Sequence, residues 1–156
     1  MVSADTPLVQ AARLRSLVWR SGAPRRAHAD DRDIAISAGH VLVIDDDPDM
    51  RRLLRFALND FGFQVTTAEN GAEALAQLEE GAHPHAIVLD LEMPRMDGRA
   101  FYAELRRRGI DTPVLVLSAY GAERAARELK LRFALAKPFD LEELVQTLRN
   151  MIGGSG

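Results

Sequence analysis

Three runs of four apolar residues do most to limit what this chain can fold into: Val41-Leu42-Val43-Ile44, Ala86-Ile87-Val88-Leu89 and Val114-Leu115-Val116-Leu117. A strand that is apolar on both faces needs cover on both faces, which belongs to the interior of a parallel sheet rather than to a half-solvated one. The first two runs end on carboxylates. Asp45-Asp46-Asp47 and Pro48 follow the first, and Asp90 closes the second before Leu91-Glu92-Met93-Pro94-Arg95-Met96-Asp97-Gly98. A carboxylate just past such a strand, with Pro and Gly marking the turn, sits at a sheet edge and not in a core. Two such strands side by side make an acidic pocket.

The intervening segments read as helices. Strand 41–45 precedes a helix over about 48–60, whose stripe is Met50, Leu53, Leu54, Ala57, Leu58 and Phe61. Strand 63–67 leads to a helix over about 71–80 with Ala72, Leu75 and Leu78 inward. Strand 86–90 leads to a helix ending near Arg108, and Pro113 opens the third apolar run. An Ala-rich helix over about 121–130, a strand over 133–136 and a helix over about 140–152, with Leu141, Leu144, Val145 and Leu148 inward, complete the pattern. Strands alternating with helices require a parallel sheet, right-handed crossovers and helices on both faces, an α/β doubly wound fold.

The 156 residues suit one domain plus a tail. Residues 1–38 form an Arg-rich leader, read as largely disordered with a short amphipathic helix over 7–20 that carries Trp19. Residues 39–152 form the domain, and 153–156 are a flexible Gly/Ser tail. A formal charge of −3 gives no general reason to expect nucleic-acid binding. Cysteine is absent, which excludes a disulfide scaffold or thiolate metal site. No apolar stretch approaches about 20 residues, and no basic segment leads into an apolar one at the N-terminus. The expectation is a cytoplasmic protein with no membrane span.

In open parallel sheets, ligands bind beyond the carboxyl ends of the strands, where strand order reverses. Asp45, Asp46, Asp90, Ser118 and Lys137 all fall at such ends. Two carboxylates ~4 Å apart repel by about 4 kcal/mol at an effective dielectric near 20, so a proton or a hard cation holds them together. Oxygen ligands without sulfur or imidazole favour Mg²⁺, which shares its shell with waters and phosphate oxygens. A free carboxylate beside a metal-bound phosphoryl group can attack it, while a lysine and a hydroxyl steady the transferred group.

The motifs Val-Leu-Val-Ile-Asp-Asp-Asp-Pro (41–48), Leu-Asp-Leu-Glu-Met-Pro-Arg-Met-Asp-Gly (89–98), Leu-Ser-Ala (117–119) and Ala-Lys-Pro-Phe (136–139) resemble, in that order, the receiver (REC) domain of two-component response regulators. The resemblance covers about 39–152 and implies a flavodoxin-like (βα)5 three-layer sandwich with a parallel five-stranded sheet of order 2-1-3-4-5. It implies a stand-alone response regulator in which Asp90 accepts a phosphoryl group from a sensor histidine kinase or histidine phosphotransfer protein. Asp45, Asp46, Asp90 and the Glu92 main-chain carbonyl would hold Mg²⁺, with Mn²⁺ as a substitute. Lys137 and Ser118 would contact the phosphoryl, Lys137-Pro138 would be a cis peptide, and Glu92 and Tyr120 would tune hydrolysis. On this resemblance the protein catalyses only its own phosphorylation and dephosphorylation. It relays the phosphate or switches binding of an output protein, without direct DNA binding.

Two departures from the family pattern concern output. Ala134 stands where the family carries an aromatic switch residue, with Phe133 one position early, and the 19 positions from Ser118 to Lys137 are fewer than the pattern expects. Three other readings stay open: a pseudo-receiver that is not phosphorylated, an Asp-nucleophile phosphatase, and a fragment of a longer regulator. Bland roles are expected for other conspicuous residues. Asp47 enters the first helix and Asp97 caps the third, with Gly98 needed for the turn. His83 and His85 are read as solvated, and Arg106-Arg107-Arg108 as a solvated helix end.

Overall fold

The three apolar runs occupy the centre of a five-stranded parallel sheet in the computed structural model of the chain, which describes residues 37–93, 96–119 and 121–154. Its strands are β1 (His40–Ile44), β2 (Gln64–Ala68), β3 (Ala86–Asp90), β4 (Val114–Ser118) and β5 (Phe133–Ala136), in the order β2-β1-β3-β4-β5. Between and after them come α1 (Pro48–Asp60), α2 (Gly71–Glu79), α3 (Gly98–Arg107), α4 (Ala122–Leu129) and α5 (Leu141–Gly153). The order explains the sequence texture. All five residues of β3 and of β4 are buried, whereas β2 at one edge alternates and β5 at the other is half-buried. This is the flavodoxin-like sandwich that the alternation and the resemblance imply.

Period-two side-chain direction splits the interior into two layers. Val41, Val43, Ala86, Val88, Leu115 and Leu117 face α1 and α5, packing on Leu54, Leu58, Leu144 and Leu148. Leu42, Ile44, Ile87, Leu89, Val114 and Val116 face α2, α3 and α4, packing on Leu75, Phe101, Leu105 and Ala125. Neither layer can form alone, because each central strand contributes to both.

Side-chain caps start four helices. Asp47, Asn70, Asp97 and Asp140 each accept hydrogen bonds from main-chain N–H groups of the first turn, satisfying donors a helix leaves free. Asp97 thus has the capping role read from the sequence, and Asp47, read only as entering the first helix, caps it. Helix α4 differs: it is entered through Gly121 at φ +66°, with no side-chain cap among the described residues. After α1 the chain reverses through Gly62 at φ +90°, whose N–H reaches the Asn59 carbonyl at 2.9 Å.

Some details differ from the periodicity. Phe61 is the residue after α1 and is exposed rather than on the buried stripe. On α2 the inward positions are Ala74 and Leu75, with Leu78 partly buried against the same layer as expected and Ala72 exposed instead. Gly153 closes α5 instead of belonging to the tail. The leader helix over 7–20 with Trp19, the tuning position Tyr120 and the last two tail residues lie outside the described residues.

Candidate functional site

The strand order reverses between β1 and β3, and their register pairs Ile44 with Leu89. The next residues, Asp45 and Asp90, therefore come side by side at the carboxyl edge of the sheet. Asp45, Asp46 and Asp90 each offer a carboxylate oxygen within 4.8 Å of the others. Asp45 and Asp90 are buried and Asp46 is exposed, so the group is open to solvent on one side.

Burial makes the cluster electrostatically unusual. Asp45 Oδ1 accepts the Asp47 N–H at 2.9 Å, while its buried Oδ2 has no hydrogen-bond partner among the described residues. Desolvation, reinforced by the neighbouring Asp90 charge and opposed by Lys137, pushes the Asp45 carboxyl up to about 7. Asp90 is also raised, because burial outweighs the lysine beside it. Asp90 Oδ1 accepts the Glu92 N–H at 3.1 Å and lies 3.2 Å from Lys137 Nζ. Burial would pull Lys137 down, but Asp90 and Asp45 together hold it above its ordinary value, so it stays a cation.

Lys137 arrives from β5, where Ser118 pairs with Ala136 and the Lys137 N–H donates to the Ser118 carbonyl at 2.8 Å. The Lys137–Pro138 peptide is cis. Ser118 is buried at the end of β4 and its hydroxyl donates to Glu92 Oε1 at 2.8 Å. The Ala119 N–H donates to both Glu92 oxygens, at 3.2 and 3.3 Å.

Asp45, Asp46, Asp90 and Lys137 thus meet at one point, with Ser118 and Glu92 linked to each other beside it. Ala134 is in β5 opposite Val116, half-buried against the α2–α4 layer and away from the acids. Two contributors escaped the sequence reading, and a third, Gly98, was read for a different reason. Arg51 donates from its guanidinium to the Asp45 carbonyl at 2.7 Å and the Asp46 carbonyl at 3.1 Å, tying down the acidic loop. Ala119 contributes through its main chain, which no side-chain motif reveals. Gly98 lies in α3 so close to the end of β3 that a Cβ there would stand 2.7 Å from the Asp90 carbonyl oxygen, so close approach rather than turn conformation demands glycine.

The histidines and the arginine run lie away from the acids. His85 Nδ1 accepts the His40 N–H at 3.0 Å, His83 and His85 are exposed, and the metal-competent group among the described residues contains no histidine. Arg106 donates to the Ile110 and Thr112 carbonyls, and Arg107 and Arg108 pair with Glu104, as suits a helix end. No helix among the described residues is long and apolar enough to cross a membrane.

The donor set, all oxygen with an orphaned buried Oδ2, fits a hard divalent cation. Asp90, held by Lys137 and a main-chain N–H, is an oriented carboxylate next to that position.

Comparison with known proteins shows the family and the fold. The response regulator receiver domain matches residues 41–149. The transcriptional regulatory protein PrrA of Mycobacterium leprae (strain TN) is 41% identical over 127 residues, which is 80% of this chain and 54% of that protein. Response regulator MprA of Mycobacterium sp. (strain KMS) is 42% identical over 115 residues, 72% of this chain and 50% of that one. The chain spans about half the length of the curated relatives it matches. Among solved structures, the receiver domain of Francisella response regulator 1452 superposes with a TM-score of 0.70 at 30% identity, covering 76% of this chain and 99% of that one. Response regulator TrrA from Thermotoga maritima, solved in complex with Mg²⁺–BeF, gives 0.65 at 32% identity, covering 72% and 97%. With the matched residues spanning the sheet from β1 into α5, this chain belongs to the receiver-domain family of two-component response regulators.

Proposed function

We propose that this protein is the phosphoacceptor of a two-component system, with Asp90 taking a phosphoryl group from a phosphohistidine on a sensor histidine kinase or histidine phosphotransfer protein. The observation that carries this reading is the placement of Asp90 Oδ1 3.2 Å from Lys137 Nζ, inside a group of three carboxylates within 4.8 Å. A carboxylate oxygen of Asp90 attacks phosphorus, the P–N bond breaks, and its electron pair returns to the leaving imidazole nitrogen. Lys137 balances charge on the transferred group, and the Ser118 hydroxyl and Ala119 N–H donate to its oxygens. Asp45, Asp46, Asp90 and the Glu92 main-chain carbonyl would hold Mg²⁺, or Mn²⁺ in its place, which supplies the remaining charge neutralisation when bound. Glu92 and Tyr120 occupy the positions that tune hydrolysis of the acyl phosphate. The chemistry is confined to the protein's own aspartate, in the cytoplasm.

The output is a phosphorylation-dependent affinity for a partner protein, or onward relay to a second histidine. Transcriptional regulation belongs to the names of relatives of which this chain spans about half. The Arg-rich leader before the domain, residues 7–20 above all, binds the kinase or shields the output face. Deleting 1–38 without changing phosphorylation rate or partner affinity would remove that role.

The direct test is intact-protein mass after incubation with acetyl phosphate, with and without Mg²⁺, for wild type and Asp90→Ala. One Mg²⁺-dependent adduct, absent from the variant, is expected. No adduct under conditions that modify a control receiver overturns the reading and leaves a pseudo-receiver.

A further inference from the structure

An anion already sits on the donors that the proposed function reserves for phosphoryl oxygens, and it belongs to the protein. The Glu92 main-chain N–H bonds Asp90 Oδ1 at 3.1 Å, which pins residue 92 beside the acceptor. Its side chain then turns to the end of β4, where Oε1 takes the Ser118 hydroxyl at 2.8 Å and the two carboxylate oxygens share the Ala119 N–H at 3.2 and 3.3 Å. Two neutral donors on one ionised acceptor are charge-assisted bonds, stronger than the neutral kind.

Proton count makes the arrangement exclusive. A serine hydroxyl has one proton to donate and a main-chain amide has one. While both point at Glu92, neither is free for a phosphoryl oxygen. Charge works in the same direction, since a phosphoryl group and the Glu92 carboxylate repel across a few ångströms of partly buried space.

We propose that the Glu92 carboxylate is an internal competitor for the phosphoryl-binding donors, holding the unphosphorylated site closed and leaving when the site is loaded. The inference rests on Asp90 being the acceptor and adds that loading is an exchange of one anion for another. Residue 92 therefore controls how readily a phosphoryl group enters, besides any effect on how fast it is lost. Glu92 is exposed, so replacing it removes no core packing.

Titration of the full chain with Mg²⁺ and beryllofluoride, for wild type, Glu92→Ala, Ser118→Ala and the double variant, tests the exchange. Intact-mass rates with acetyl phosphate accompany it, and urea unfolding confirms that each variant is folded. Glu92→Ala is expected to tighten beryllofluoride binding by about threefold or more and to speed loading, because the released hydrogen bonds no longer oppose entry. In the Ser118→Ala background the same substitution should gain less than half as much, since one shared donor is gone. Unchanged or weaker binding in Glu92→Ala overturns the proposal. So does an equal gain in both backgrounds, which would make Glu92 a repelling charge and not a competitor. If no variant takes beryllofluoride or phosphoryl while a control receiver does, the acceptor reading falls and the exchange with it. Asp90 loading with no effect of residue 92 removes the exchange alone.

Discussion

The Arg51 guanidinium, in the first turn of α1, reaches back to the main-chain carbonyl of Asp45 at 2.7 Å and holds that of Asp46 at 3.1 Å. A cation thus clamps the loop bearing two carboxylates through its backbone, with an oxygen of each acid within 4.8 Å of Asp90. Arg51→Gln should loosen the loop and weaken Mg²⁺ binding about fivefold, with a cost of about 1.5 kcal/mol in stability, since the half-exposed bonds fall at the low end for charged donors. Calorimetric Mg²⁺ titration beside urea unfolding measures both. Unaltered Mg²⁺ affinity would show that the clamp does not shape the acidic loop.

Asp45 makes metal-free stability depend on pH in a stated direction. Its folded value of about 7 lies above an unfolded value near 4, so between these limits the native state keeps a proton that the unfolded chain releases. The contribution is fully present below the unfolded value and is lost as pH rises through the folded one. It is worth at most about 4 kcal/mol. In chelator, urea midpoints should be higher at pH 5 than at pH 8, and Asp45→Asn should flatten that slope and be the more stable protein at pH 8. A steeper slope in the variant would contradict this origin.

Lys137→Met should separate binding from transfer. Removing the cation 3.2 Å from Asp90 leaves more net negative charge at the acids, so Mg²⁺ should bind more tightly. Loading from acetyl phosphate should nevertheless fall about 100-fold or more, the scale for losing one preorganised charge on a transferred group. Calorimetry and intact mass read the two effects. A variant that loads at the wild-type rate would take Lys137 out of the chemistry.

Gly98→Ala reverses an ordinary rule. Alanine normally stabilises a helix over glycine by about 1 kcal/mol. Here a methyl would meet the Asp90 carbonyl oxygen at 2.7 Å and Leu91 Cα at 2.8 Å, both backbone-anchored, so the change should destabilise by about 1–3 kcal/mol. Urea unfolding decides the sign, and a stabilised variant would refute the close approach.

Much of the molecule follows from local pattern. A run such as Val114 to Leu117 can hide its side chains only inside a covered sheet, and helices between such runs force parallel strands. Capping is local too, which is why Asp97 was legible as a cap and Asp47 as the entry to the first helix. The acids, the serine and the lysine were legible because each ends a strand, and the strand ends share one edge. Strand order was carried by resemblance to a family, since periodicity does not say which strands are neighbours.

Relations between distant segments were decided by tertiary structure. The hydroxyl of Ser118 and the carboxylate of Glu92 are 26 residues apart and meet because β3 and β4 pair in one register. The high value of Asp45 comes from burial and from Asp90, a strand away, and no sequence distance encodes either. Gly98 reads as turn chemistry until the end of β3 is brought against it. Phe61 fits a helical stripe by number, yet it follows the end of α1 and is more than a third exposed, with the Arg149 guanidinium over its ring. The sequence by itself determined the elements, their layers and the chemical types at the sheet edge, because these depend on free energies summed within a few residues. Which donors face which acceptors, and at what charge, depended on how the finished sheet excludes water and sets the strands side by side.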